Sequence, residues 1–205
     1  MRILLPMLCL VAVPAAAADL SGALSQASAL AQAARPQAGA RFTADADLDA
    51  EPLEAVGNFH EVAPGLYRSA QPSREGYHQL SALGVKTLLS LKENASRERI
   101  EAGAEGLAVE NVPMTGFAQP SFKQIDRALA IMQDPSKRPL LVHCQHGKDR
   151  TGFVVAAYRV VVEHADVAEA AEQARSYGCC FAPFGDLAAF LRGYRAHRTA
   201  APAAD

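Results

Sequence analysis

The stretch LLVHCQHGKDRTGFVVA, residues 140–156, decides the fold. Leu140, Leu141 and Val142 form a short apolar run, as a strand buried on both faces requires. Gly147 interrupts the polar segment that follows. From Thr151 to Glu163 the residues are apolar nearly all round, which predicts a deeply buried helix. This order puts Cys144 at the carboxyl end of a central strand, where open α/β sheets bind their ligands. A loop curling into a helix N-terminus points several backbone N–H groups inward. With the helix dipole they form an anion cradle of phosphate size.

A cysteine at the mouth of such a cradle favours its thiolate for the reason the cradle favours a phosphate. Thiol pKa values at helix N-termini near cations fall by several units from about 8.5. Cys144 is thus a candidate nucleophile, attacking phosphorus to give a phosphocysteine. Arg150, six positions on, is the candidate clamp, its planar fork matched to two phosphoryl oxygens. Gln145, His146, Gly147, Lys148, Thr151 and Gly152 complete the candidate binding set. Gly147 permits the tight curl, Gly152 permits close helix packing, and the Thr151 hydroxyl is placed to assist the departing thiolate. His143 is expected to hydrogen-bond loop backbone rather than act as a base. A plain buried cysteine beside a surface arginine would not explain why strand, Gly, Arg, Thr and Gly arrive together at this spacing.

Outward from the loop, strands and helices alternate. Leu66–Ser69 reads as a strand, and Ser73 caps a helix running to about Leu83, closed by Gly84. Val85–Leu91 is a buried strand, Ser96–Glu105 a charged surface helix, and Leu107–Met114 a further strand. Ser121 and Gln124 have capping-box spacing ahead of Ile125, Leu129 and Met132, which share a helical face. Asp166 with Glu169 predicts a second capping box. Asp186 caps a last helix carrying Leu187, Phe190, Leu191 and Tyr194. The alternation predicts an α/β fold, a mostly parallel central sheet of four or five strands flanked by helices.

The chain has 205 residues and a formal net charge of −2, without the basic footprint of a nucleic-acid binder. Residues 1–18 have the form of an export signal: Arg2, a short apolar run from Ile3 to Val13, then Pro14 and small residues to Ala18. The run is too short to span a bilayer, so the expectation is a periplasmic or secreted protein without stable membrane insertion after cleavage. Residues 19–56 read as an Ala-rich arm, 57–197 as the catalytic domain and 198–205 as a tail. Of four cysteines, Cys9 lies in the signal, leaving Cys144, Cys179 and Cys180. Neither C-x-x-C nor zinc spacing occurs, so no metal or other cofactor is expected. For Cys179 and Cys180, two thiols or a bond to a third cysteine is expected over a vicinal disulfide, a redox link to Cys144 being one option.

HCQHGKDRTG, residues 143–152, resembles the signature loop of protein tyrosine and dual-specificity phosphatases: His-Cys, five residues, Arg, Ser or Thr, then Gly. NFHEVAPGLYRSAQP, residues 58–72, resembles the opening of a subgroup found in bacteria, plants and fungi, with exported bacterial members. The resemblance covers about residues 57–195. It implies the compact dual-specificity fold and hydrolysis of phosphotyrosine, with dual specificity open. The implied partner is a phosphorylated protein, such as the periplasmic part of a membrane signalling protein.

One departure stands out. The family carries a general-acid Asp about thirty residues before the nucleophile, yet NVPMTGFAQPSF, residues 111–122, has no acidic residue. Glu110 and Asp126 flank it. Asp149, beside Arg150, resembles the loop acid of the myotubularin inositol-lipid phosphatases and is the favoured candidate, with a loop-bracing role as its alternative. Lys148 resembles a lysine of inositol-lipid and inositol-pyrophosphate phosphatases, which supplies an alternative substrate class, with a plain solvated charge as its other reading. A catalytically weak phosphate-binding module is the non-enzymatic alternative. Arg68, Ser69 and Gln71 either border the pocket or support the signature loop.

Overall fold

The computed structural model describes residues 53, 55–180 and 185–200. The expected export signal, nearly all of the expected arm and the end of the expected tail lie outside the described residues. No described helix is long and apolar enough to cross a membrane.

Five strands make one sheet: β1 (His60–Ala63), β2 (Leu66–Ser69), β3 (Thr87–Ser90), β4 (Ala108–Asn111) and β5 (Leu140–His143). Their order is β1-β2-β5-β3-β4, with β1 antiparallel and every other pairing parallel. β5 is central, and His143 pairs in register with Ser69 of β2 and Ser90 of β3. The three strands therefore end level, and the chain leaves β5 into a crevice bounded on both sides.

Successive strand residues face opposite ways, and the sheet uses both faces. Leu66, Leu89, Leu140 and Val142 join a core with α3 (Phe122–Gln133), α4 (Asp149–Val161), α5 (Val167–Ser176) and α6 (Leu187–Ala200). Leu88 and Leu141 join the other core with α1 (Arg74–Ala82) and α2 (Ser96–Gly103). Two-sided burial is why β5 is an unbroken apolar run. Every residue of α4 from Thr151 to Val160 is buried.

The caps follow the sequence closely. Ser73 accepts from Gly76 N–H at 3.1 Å, and Ser121 with Gln124 forms the full capping box. Asp166 caps α5 through the N–H groups of Ala168 and Glu169, without a return bond from Glu169 among the described residues, so only half of that box forms.

Three features differ from the sequence reading. β1 was not anticipated, because its apolar pattern is weak and pairing with β2 defines it. α4 runs over Asp149–Val161 and so ends two residues short of Glu163. The charged helix α2 is not confined to the surface: Glu98 is 4% exposed, turned inward beneath β5.

Candidate active site

The loop from Cys144 to Lys148 joins the end of β5 to the start of α4. Gly147 adopts φ +67°, and a Cβ there would lie 2.5–2.6 Å from the backbone of Ser69 and Ala70. Only glycine allows so close an approach of loop and β2. The Gly147 carbonyl is held from behind by two donors, Arg68 Nη2 at 2.6 Å and Asn58 Nδ2 at 3.0 Å. Arg68 is 1% exposed and lies over the Tyr177 ring at 4.2 Å. Burial brings its pKa down to about 10. Gln71 N–H donates to the Gln145 carbonyl at 3.2 Å. Arg68 and Gln71 thus support the signature loop, and Asn58, unnoticed in the sequence, joins them.

Cys144 is buried and is the free cysteine among the described residues. Burial opposes ionisation of its thiol. The Thr151 hydroxyl and N–H, the Arg150 charge and the His146 N–H outweigh it and hold the pKa below its ordinary value. The Thr151 hydroxyl is buried and has no other partner among the described residues. Gln145, His146 and Lys148 are exposed around the mouth, whereas Gly147, Thr151 and Gly152 are buried. Arg150 Nη1 donates to the Met114 carbonyl at 3.3 Å. The guanidinium thus leans on the loop after β4, where Phe117 projects 84% exposed.

Behind the nucleophile, His143 Nδ1 lies 3.2 Å from the Cys144 carbonyl, as expected of a ring that serves the loop backbone. Its Nε2 lies 2.6 Å from the Glu98 carboxylate. Burial works against the Glu98 charge, but His143, Ser90 and Gln71 prevail and its pKa is lowered. Gln71 Nε2 also reaches the Tyr77 hydroxyl at 2.5 Å. Nothing in Ser96–Gly103 distinguishes Glu98 from its charged neighbours, so this layer was invisible to sequence reading.

The three candidate acids separate. Glu110 pairs with Lys137 at the sheet edge. Asp126 accepts from the Tyr194 hydroxyl at 2.7 Å, Arg198 at 3.1 Å and His197 at 3.3 Å, bonds that lower its pKa against the effect of burial. Asp149 alone stands in the signature loop, half-buried at the first position of α4, with Oδ1 accepting from Cys180 N–H at 2.7 Å. That bond braces the loop and leaves the second oxygen for other work.

Cys179 and Cys180 form a vicinal disulfide, contrary to expectation, and Cys144 takes no part. Cys180 adopts φ +74°, a left-handed backbone conformation within the pair, and Gly178 just before it has φ +83°. A side chain at Gly152 would overlap Cys179 Sγ, so this glycine admits the disulfide beneath α4. Asp149, Cys179 and Cys180 are the described residues grouped closely enough to hold a metal, but the sulfurs are committed to each other.

Comparison with known proteins agrees with this geometry. The family model described as a DSP-PTPase phosphatase fused to NAD+ kinase matches residues 54–187. The dual specificity protein phosphatase TpbA of Pseudomonas aeruginosa is 29% identical over 150 residues, 70% of this chain and 66% of TpbA. The inositol diphosphatase DSP5 of Arabidopsis thaliana is 32% identical over 129 residues, 57% of this chain and 60% of DSP5. The chain thus spans just under two-thirds of these curated relatives. The TpbA crystal structure superposes with TM-score 0.63 at 28% identity, covering 77% of this chain and 98% of that one. The catalytic core of SIW14 from Saccharomyces cerevisiae gives 0.62 at 24%, covering 73% and 94%, a likeness of fold. With the family model spanning the sheet and the signature loop, the chain belongs to the DSP-PTPase phosphatase family.

Proposed function

We propose that this phosphatase hydrolyses phosphate monoesters of proteins, phosphotyrosine foremost, through a phosphocysteine on Cys144. The observation that carries the reading is a buried cysteine at the carboxyl end of β5, on a loop that turns into the N-terminus of α4, with Arg150 and Thr151 beside it. Cys144 Sγ attacks phosphorus, and the S–P bond forms as the P–O bond to the leaving group breaks. Arg150 turns from the Met114 carbonyl to hold two phosphoryl oxygens. Asp149 gives its proton to the leaving oxygen, a transfer that contributes about 10²–10⁴-fold. Water then attacks phosphorus, Asp149 takes its proton, inorganic phosphate departs, and Thr151 stabilises the released thiolate.

Phosphotyrosine is favoured by the likeness to TpbA, of which one similar structure holds phosphotyrosine. Phe117, projecting next to the Arg150 loop, offers a face for an aromatic leaving group. A second reading, an inositol diphosphate as substrate, is favoured by the exposed Lys148 at the cradle mouth and the likeness to DSP5. Comparing kcat/KM for a phosphotyrosine peptide and an inositol pyrophosphate tests the choice. A value for the peptide tenfold or more above the other supports phosphotyrosine, and the reverse order replaces it with the second reading.

The leader-like residues 1–18 support export, with periplasmic portions of membrane signalling proteins as partners. Mass spectrometry of protein recovered from outside the cytoplasm tests this, with Asp19 expected as the first residue. An intact Met1 terminus in a cytoplasmic fraction would contradict it.

A further inference from the structure

Beside the signature loop lies a cleft of about 410 Å³, between the start of α1 and the segment joining β3 to α2. Gln71 ties it to the cradle, lining the cleft while its N–H holds the Gln145 carbonyl. The cleft opens at the same edge of the sheet: Leu91 N–H bonds the His143 carbonyl, and Lys92 follows at once. The backbone of Lys92 is itself fixed, its carbonyl accepting from Asn111 Nδ2 at 2.9 Å.

The charges of the cleft are unequal in what they have left to offer. Glu101 is engaged by Arg97 at 2.8 Å, and Glu98 is engaged by His143 at 2.6 Å. Arg74, at the first position of α1, and the half-buried Lys92 make no ion pair or side-chain hydrogen bond among the described residues. Two cations are thus left facing a cavity large enough for a substituent of the substrate. Neither side chain supports the fold through a bond among the described residues.

We propose that Arg74 and Lys92 form a second anion subsite, which binds an oxyanion carried by the same substrate as the scissile phosphate. It rests on the phosphatase reading in one respect, that the scissile phosphate occupies the Cys144 cradle. The occupant is either a further phosphate of a polyphosphorylated small molecule or a carboxylate flanking phosphotyrosine in a protein. The guanidinium suits bidentate contact with either group, and the ammonium adds a point charge. A substrate anchored at both places gains over a simple phosphate ester by making the second contact intramolecular.

The test is equilibrium binding to Cys144→Ser protein, which needs no turnover. Inorganic phosphate, myo-inositol hexakisphosphate and two phosphotyrosine peptides, flanked by Glu or by Ala, are titrated by calorimetry. The same titrations follow with Arg74→Gln and Lys92→Gln combined. The subsite predicts that one multiply anionic ligand is preferred over its simple counterpart, and that the double variant cuts that preference at least tenfold. Loss of the hexakisphosphate preference assigns the occupant as phosphate; loss of the Glu-peptide preference assigns it as carboxylate. No preference in the parent protein, or one untouched by the double variant, overturns the proposal. Failure of the phosphatase reading is read separately, as absence of p-nitrophenyl phosphate turnover by the wild type.

Discussion

The Glu98 carboxylate lies 2.6 Å from Nε2 of His143, in a layer directly beneath the nucleophile where both side chains are shut off from solvent. The pair joins α2 to the end of β5 and fixes the ring that touches the Cys144 carbonyl. Glu98 acts on the site only through His143, so it is a positioning residue.

Glu98→Ala leaves the buried ring nitrogen without its partner, and a buried polar group left unsatisfied costs about 1–3 kcal/mol. Chemical denaturation at neutral pH should show a loss of that order. The folded pKa of Glu98 is lowered from its ordinary 4.5. Its contribution is therefore present above the unfolded value and fades as pH falls through the folded one. Wild-type stability should decline below about pH 4.5 by more than that of Glu98→Gln, whose residue 98 does not titrate. Parallel declines would show that the pair is not linked to folding.

Cys144 should react with iodoacetamide at pH values below those at which an ordinary thiol does, because its pKa is lowered. The Thr151 hydroxyl is the leading group holding it down against burial. Thr151→Val should move the midpoint of the rate–pH profile upward. An unmoved midpoint would assign the effect to the backbone cradle and Arg150.

Gly147→Ala is expected to damage loop and catalysis together. The left-handed φ costs a non-glycine residue about 1–3 kcal/mol, and the Cβ meets the β2 backbone. A catalytic shift of about 1 Å can cost 10²-fold, so kcat/KM for p-nitrophenyl phosphate should fall at least that far. Full activity in this variant would mean that the loop does not lie against Ser69 and Ala70 during turnover.

Asp149 carries two duties, a brace through Cys180 N–H and the proposed proton transfer. They separate by leaving group. If Asp149 is the acid, Asp149→Asn should cost about 10²–10⁴-fold with phenyl phosphate and far less with p-nitrophenyl phosphate, whose leaving group needs little protonation. Equal losses on both substrates would reduce Asp149 to a brace.

Much of this architecture was legible because local rules and tertiary demands agree. Leu140–Val142 is apolar throughout because β5 has helices on both faces, and Ser73 and Ser121 announce their helices through capping. Gly147 and Gly152 mark the two closest approaches of the loop region. The unseen parts are those that depend on distant partners. β1 exists only through β2, and Asn58 and Arg68 meet Gly147 across about ninety and eighty residues of chain. Glu98 looks like any exposed helical glutamate until the fold turns it toward His143. The pairing of the adjacent cysteines was not legible because the left-handed φ of Cys180 is a backbone feature that spacing does not reveal.

The proposed chemistry stands on a phosphoryl group passing through Cys144. Its most direct test is acid-quench mass spectrometry of the full chain during p-nitrophenyl phosphate turnover, in reductant and EDTA. A phosphate adduct should appear on the Cys144 peptide within the first turnovers and be lost, with all turnover, in Cys144→Ser. Turnover that persists in Cys144→Ser, or wild-type turnover abolished by EDTA, would contradict it.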